Sequence, residues 1–145
     1  MPANKSELSH FLPYLLNQAA ELVSRDFQPQ YKDRYGMLRT EWRVLFHLGW
    51  HGGMTATQLC EQASIHKTKI SRAAVALEKK RFLSRTTVED DRRFEILTLT
   101  RSGRAAFKNL SKVAADYDVS IEQDLGKHDL AMLKAMLSKL ISKRT

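Results

Sequence analysis

The sequence has little cysteine and no long apolar run, and both scarcities limit what the chain can be. A single cysteine, Cys60, cannot form a disulfide within the chain or build a thiolate metal cage by itself. No stretch approaches the roughly 18 apolar residues that a membrane-crossing helix needs, and the first residues carry no signal-peptide pattern. We therefore expect a cytoplasmic protein that does not bind membranes.

The short motifs that serve catalysis are absent as well. The sequence contains no Gly-x-Ser-x-Gly, no His-Glu-x-x-His and no glycine-rich phosphate loop. Such motifs supply activated nucleophiles, metal ligands or phosphate-binding backbone, which are the usual parts of an active site. We expect that the protein is not an enzyme and that it carries no cofactor.

Positive charge is abundant and concentrated in one region. The 145 residues carry 24 Lys and Arg against 16 Asp and Glu, a net charge of +8. Residues 64–108 hold 12 of the basic side chains and 5 of the acidic ones, which is +7 of that total. Such a local excess is the expected footprint of a phosphate-binding surface, and the chain length suits a single domain, 1–145.

Apolar periodicity indicates helices at both ends of the chain. Residues near the N-terminus recur at three- and four-residue steps and predict an amphipathic helix over 8–28, which stops before Pro29. Thr40 is expected to cap a second helix that ends near residues 49–53. Thr100 is expected to cap a later helix, and the last helix is expected to begin near Asp129.

The centre of the chain predicts a short helix, a turn, a second helix and a hairpin. Residues 55–58 fit a capping box, and the helix over 66–80 has one apolar side and one side rich in hydrogen-bond donors. Residues 83–88 and 94–99 are expected to form strands, with the polar residues 89–93 at the tip. This order is typical of a winged helix-turn-helix, a mainly α fold with a small β-hairpin wing (α+β).

The same region resembles the multiple-antibiotic-resistance regulator (MarR) family of bacterial transcription factors over about residues 38–107. Each fragment alone is a weak match, but their order and spacing together are specific. The fragments that carry the resemblance are Leu38-Arg39-Thr40-Glu41-Trp42-Arg43-Val44-Leu45, Gln58-Leu59-Cys60-Glu61, Thr68-Lys69-Ile70-Ser71-Arg72, Leu77-Glu78, Asp91-Arg92-Arg93, Leu97-Thr98-Leu99-Thr100 and Gly103.

The resemblance implies the site residues. Arg92 and Arg93 correspond to the wing-tip arginines, one of which typically enters the minor groove in this family, and Asp91 corresponds to the acidic residue that braces the wing. Lysine and arginine suit guanine edges, and hydroxyls suit phosphates or bases. The exposed face of the family's recognition helix corresponds here to Lys67, Thr68, Lys69, Ser71 and Arg72.

The resemblance also implies the partners and the function. Helices in 8–28 and 105–143 are expected to form a homodimer around the winged helix-turn-helix region, 38–104. The dimer would bind a pseudo-palindromic operator in double-stranded DNA, usually as a repressor. Family ligands typically bind between the dimerisation helices and the winged region, where we expect a small-molecule effector to bind. Side chains suited to line such a pocket, or equally to form core, are Phe11, Tyr14, Trp42 and Phe46.

Arg81 departs from the family pattern, which usually has glycine there. Glycine allows a left-handed helix end at little cost, whereas another residue in that conformation costs about 1 kcal/mol. Cys60 likewise replaces the alanine common at its position.

Three alternatives stay open beside this interpretation. Cys60 is either a redox sensor or a small buried hydrophobe, since some relatives sense oxidants through a cysteine. His47 and His51, four residues apart, could share a metal, but no third ligand has a diagnostic spacing, so we expect no metal site. A winged-helix module that binds protein rather than DNA is the competing function, and the basic residues would then form a solvated face.

Overall fold

The computed structural model describes the backbone of residues 5–88 and 91–145, and the side chains of residues 7–88 and 94–145. Within these residues the chain forms seven helices and one antiparallel two-stranded sheet, so the predicted fold class is confirmed. In chain order the elements are α1 (Lys5–Leu8), α2 (Leu12–Tyr35), α3 (Arg39–His51), α4 (Ala56–Ala63), α5 (Lys67–Lys79), β1 (Leu83–Val88), β2 (Asp91–Leu99), α6 (Arg101–Leu125) and α7 (Lys127–Arg144).

The chain divides into two compact units, Met1–Lys108 and Asn109–Thr145. In the first unit α5 packs against α3 and α4, and the hairpin packs against α3, α4 and α5. The four apolar residues of α5 that the sequence places on one side, Ile70, Ala73, Ala74 and Leu77, are all buried, which confirms the predicted inner face. The apolar face of α5 therefore packs into the core, and its donor-rich face points outward.

The N-terminal helix continues past Pro29, so the prediction that it stops before this residue is wrong. Proline inside a helix removes one backbone hydrogen bond and usually costs about 3 kcal/mol. Phe27 and Tyr31 flank Pro29 on α2 and pack on Trp42 of α3, with ring centroids 5.6 and 5.9 Å away respectively. This aromatic packing outweighs the local penalty, and α2 ends instead at Gly36, which has a left-handed φ of 66°.

Helix α3 is capped by the side chain of Glu41 and begins at Arg39, so the prediction that Thr40 caps it is wrong. The Leu38 N–H donates to Oε2 of Glu41 over 3.2 Å. The other oxygen, Oε1, accepts a hydrogen bond from Nζ of Lys80 over 2.9 Å, although Glu41 is only 4% exposed. One buried carboxylate thus satisfies the start of α3 and also holds the residue that follows α5.

The turn from α5 into the wing contains a residue in the left-handed conformation, and this residue is Arg81 rather than glycine. Arg81 has φ of 63°, and its carbonyl oxygen accepts hydrogen bonds from the hydroxyls of Thr100 (2.6 Å) and Ser102 (2.8 Å). Phe82 N–H donates to the Leu77 carbonyl over 2.9 Å, which closes the helix end. These contacts hold the strained conformation in place.

Arg81→Gly is expected to raise the free energy of unfolding by about 0.5–1 kcal/mol relative to Arg81→Ala, since only glycine adopts positive φ without a steric cost. Both variants lose the same exposed charge, so their difference isolates the backbone effect. Urea denaturation of the two proteins measures it. An alanine variant as stable as the glycine variant would show that Arg81 carries no strain.

The wing is a hairpin whose second strand begins earlier than the sequence indicates. Strand β2 starts at Asp91 rather than at residue 94, and its backbone pairs with β1 from Leu83 opposite Leu99 to Val88 opposite Asp91. The backbone ladder needs no apolar side chains, and the middle of β1 is itself exposed, so polar residues can extend the strand. The predicted tip residues Glu89 and Asp90 lie outside the described residues.

Thr100 caps α6 as predicted, because its hydroxyl oxygen accepts a hydrogen bond from the Gly103 N–H over 3.1 Å. In the second unit, Gly126 separates α6 from α7, which begins at Lys127, two residues before the predicted start. Lys134 and Asp118 join these helices through an ion pair of 2.6 Å. Several large apolar side chains of this unit are exposed, namely Val119, Leu125, Met132, Leu133, Met136 and Ile141.

Candidate nucleic-acid interface

The turn between α4 and α5 is fixed by side-chain caps at the start of both helices. The capping box is confirmed: Gln58 N–H donates to Oγ1 of Thr55 over 3.1 Å, and Thr55 N–H donates to Oε1 of Gln58 over 2.9 Å. His66 caps α5, since its Nδ1 accepts a hydrogen bond from the Thr68 N–H over 3.2 Å. The first turn of α5 is therefore ordered before any ligand binds.

The five α5 residues predicted for DNA contact share one exposed face of the helix. At about 100° per residue, Thr68 and Arg72 point almost directly away from the buried side. Lys67 and Lys69 each lie about 100° from Thr68, on opposite flanks. All of them are exposed, as is Ser71. The arrangement places hydroxyl and guanidinium donors at the centre of the face and ammonium groups at its edges.

The three basic residues of this face are available to an outside partner. Among the described residues no carboxylate forms an ion pair with Lys67, Lys69 or Arg72. Lys80, by contrast, is neutralised by its ion pair with Glu41. The face of α5 therefore presents three positive charges that can attract an anion.

Arg85 joins the wing to α5, a role that sequence analysis missed. Its Nε lies 3.3 Å from Oε2 of Glu78 on α5, and its Nη1 lies 3.1 Å from Oε2 of Glu95 on β2. The direct cross-strand partner of Arg85 is Leu97, and Glu95 lies two residues before it on β2. This diagonal ion pair could have been predicted from the hairpin register. This ion-pair network fixes the wing against α5 and is separate from the exposed basic face of that helix.

Arg43 holds the end of α4, which was also missed. Its Nη2 donates to the Ala63 carbonyl oxygen over 2.6 Å and so satisfies a carbonyl at the helix end, just before the turn into α5. Burial lowers the pKa of Arg43, and the charge of Arg39 lowers it further, but a guanidinium stays charged in either case. The contact fixes the position of the turn relative to α3.

Comparison with known proteins relates this geometry to one family. The sequence profile of the MarR family matches residues 35–93, which include α3, α4, α5 and β1. The transcriptional regulator FarR of Neisseria gonorrhoeae is 26% identical over 125 residues, covering 86% of this chain and 85% of FarR. The structure of the transcriptional repressor CouR, bound to a 23-mer DNA duplex, superposes with a TM-score of 0.83 at 27% identity, covering 97% of this chain and 99% of CouR.

The helix-turn-helix region of this chain, residues 35–93, matches the MarR family of transcriptional regulators. BpsR of Bordetella bronchiseptica, whose DNA binding is regulated by 6-hydroxynicotinic acid, shares the fold at 21% identity with a TM-score of 0.80, covering 97% of each chain. In this chain the helix-turn-helix is formed by α4 and α5 and the wing by β1 and β2. No helix among the described residues has the length and apolar character to cross a membrane.

The predicted wing residues can be located only by their backbone. Asp91, Arg92 and Arg93 belong to strand β2, and their side chains lie outside the described residues. Their contacts with DNA, and the bracing role of Asp91, stay predictions.

The two histidines considered as metal ligands stack on each other along α3. The rings of His47 and His51 are 5.9 Å apart and inclined by 13°. Among the residues whose side chains are described, no group of three or more histidine, cysteine or carboxylate residues could hold a metal ion. Cys60 is half-buried on α4, and its redox role stays a prediction.

His47 is expected to make the stability of this protein dependent on pH. Its Nδ1 is buried and has no hydrogen-bond partner among the described residues. Burial lowers the pKa of His47, and the neighbouring His51 and Arg43 lower it further. Below about pH 6.5, the ordinary imidazole value, the unfolded chain binds a proton that the folded chain does not. The stability that neutral His47 contributes is therefore complete above that pH and is lost as the pH falls toward the lowered pKa.

His47→Leu is accordingly expected to flatten the loss of stability between pH 7 and pH 5, because leucine fills the site without binding a proton. Denaturant unfolding at several pH values in this window measures the slope for both proteins. Equal slopes in the wild type and the variant would contradict the assignment to His47.

Proposed function

We propose that this regulator binds a pseudo-palindromic DNA operator as a homodimer and represses transcription by occupying promoter DNA. The observation that carries the proposal is the unpaired cationic face of α5. A major groove about 12 Å wide admits one α-helix, and 13 residues give α5 a length of about 20 Å. Base edges would meet the donors at the centre of the face, and phosphates would meet the lysines at its edges. The duplex bound to the relative CouR supports the same partner here.

The two terminal regions, 8–28 and 105–143, are proposed to form the dimer. Large apolar side chains at the start of α2 are strongly exposed in a single chain, among them Phe11 (56%) and Leu12 (53%). Those of α7 include Met136 (56%) and Ile141 (63%). Exposed apolar surface on helices usually marks an interface, and a second copy of the chain would bury these side chains.

The wing is proposed to contact the DNA beside the major groove. Arg92 and Arg93 would bind the backbone or enter the narrower minor groove, where the negative potential is concentrated. Asp91 would brace the hairpin. The Arg85 network supports this role because it holds the wing against α5, so the two elements would approach DNA together.

A small-molecule effector is proposed to release the dimer from DNA, as 6-hydroxynicotinic acid regulates the relative BpsR. Trp42 and Phe46 belong to an aromatic cluster with ring centroids 5.6 Å apart, and Phe46 is 37% exposed. An effector acts only if its affinity for the DNA-competent and the incompetent form differs. Phe11, which directly precedes α2, and Tyr14 of α2 are exposed and are the further candidates to contact it.

Selection of bound duplexes from a random pool tests this function. We expect an enriched sequence with two inverted half-sites whose centres lie about one helical turn, or 34–36 Å, apart. The affinity should fall steeply with salt, and transcription from a promoter that carries the sequence should fall when the protein is added. Equal binding to all duplexes would show that the protein coats DNA without sequence specificity. Absence of binding at low ionic strength would favour a protein-binding module.

A further inference from the structure

One side chain on the donor-rich face of α5 is apolar and cannot donate a hydrogen bond. Val75 is 43% exposed, and it is the only apolar residue among the exposed side chains of α5, all of which the structure describes. The other exposed residues of the helix are hydroxyl-bearing or charged. A single exposed valine is ordinary on a protein surface, so its position decides whether it has a role.

Val75 lies at the centre of the exposed face. Thr68, Arg72, Val75 and Lys79 are spaced by four, three and four residues, which confines them to a stripe about 60° wide on the helix. This stripe is directly opposite the buried residues of α5. The side chains of this stripe are therefore those that would enter a groove deepest, and Val75 is the apolar one.

The surface around Val75 is a shallow hollow with an apolar floor and a basic rim. It is lined by Ser71, Arg72, Val75, Ala76 and Lys79. The methyl groups of Val75 and Ala76 form the floor, and a guanidinium and an ammonium group stand on either side. Because the rim carries two cations and no acidic residue, a polyanion with an apolar group suits this hollow better than an apolar segment of protein.

We propose that Val75 contacts the 5-methyl group of a thymine in each half-site of the operator and so specifies the base at that position. Thymine presents the only methyl group among the four bases in the major groove, where apolar side chains recognise it by contact. The inference rests on the proposed function and adds a residue that reads sequence without a hydrogen bond. Arg72, one turn earlier on the same stripe, would bind the neighbouring base pair.

A thymine-to-uracil scan of the selected operator tests the proposal, because uracil removes the methyl group and keeps every hydrogen-bonding atom. For the wild type we expect one thymine in each half-site at which uracil weakens binding about fourfold, the value for about 0.8 kcal/mol of buried methyl. Substitution in both half-sites should weaken binding roughly fifteenfold. With Val75→Ala, which shortens the side chain away from the base, these penalties should shrink to less than twofold.

Trp50→Ala is the control, since it truncates an exposed apolar side chain of α3, 70% accessible, that lies outside α4, α5, the wing and the two proposed dimer regions. It should keep the full fourfold uracil penalty. Equal penalties in the wild type and in Val75→Ala, or no thymine sensitive to uracil, would overturn the role of Val75 while specific DNA binding stands. Failure of the wild type to bind any duplex would overturn the proposed function as well.

Discussion

Gly103→Ala will lower the free energy of unfolding by about 2–3 kcal/mol, the largest effect on stability that we expect from one methyl group. Gly103 is buried in the first turn of α6, where a Cβ would overlap the carbonyl oxygen of Phe82 and lie 2.8 Å from its carbonyl carbon. Both groups belong to the backbone, so neither can rotate away. The Phe82 oxygen also accepts the Thr100 N–H over 3.0 Å, and a shift would weaken that hydrogen bond.

Urea denaturation of Gly103→Ala against the wild type measures this effect. Arg104→Ala is the control, because it replaces the next residue of the same helix at an exposed position and should change stability by less than about 0.5 kcal/mol. Alanine has a higher helix propensity than glycine by about 1 kcal/mol, so without the steric overlap Gly103→Ala would raise the free energy of unfolding. A Gly103→Ala protein as stable as the wild type, or more stable, would mean that α6 and the turn at Phe82 approach each other less closely than the structure indicates.

Arg72→Ala will weaken operator binding about 10- to 100-fold, the largest effect on function that we expect. Arg72 is exposed at the centre of the α5 face and has no acidic partner among the described residues, so its donors are available to a guanine edge. A bidentate contact of this kind contributes about 1–3 kcal/mol of discrimination between bases. The preference for the operator over a scrambled duplex should therefore fall together with the affinity.

Fluorescence anisotropy with both duplexes measures the two affinities across a series of salt concentrations. Lys32→Ala removes one positive charge from an exposed position near the end of α2, outside the proposed dimer regions, and should change binding less than about threefold. If Arg72→Ala weakened both duplexes equally and lowered the salt slope by about one, Arg72 would contact phosphate instead of bases.

The parts of the fold that sequence analysis predicted well depend on neighbours in the chain. The capping box at Thr55 and Gln58 and the two faces of α5 follow from spacings of three and four residues. The exposed donors of α5 follow from the same periodicity. The wing strand β1 was predicted because its composition and the turn residues after it are also local features.

The parts that were missed depend on residues distant in sequence. Proline at position 29 indicates a helix end, but the rings of Phe27 and Tyr31 pack on Trp42 and keep α2 intact. Glu41 caps α3 while it binds Lys80, 39 residues later. No local pattern contains such pairings, because they exist only once the helices have packed.

The candidate site likewise contains residues that sequence analysis predicted and residues that it missed. Its exposed residues on α5 were predicted, whereas the groups that hold α5 in place, Arg43 and Arg85, were not. Each of these bonds a partner on another element, the Ala63 carbonyl for Arg43 and Glu78 and Glu95 for Arg85. Their roles could be assigned only from the packed structure.

Stoichiometry on DNA tests the central claim most directly. Sedimentation of the protein with a duplex that carries both selected half-sites should give two chains per duplex, and scrambling one half-site should weaken binding on the order of a hundredfold or more. One chain per duplex, with undiminished affinity for a single half-site, would contradict the account.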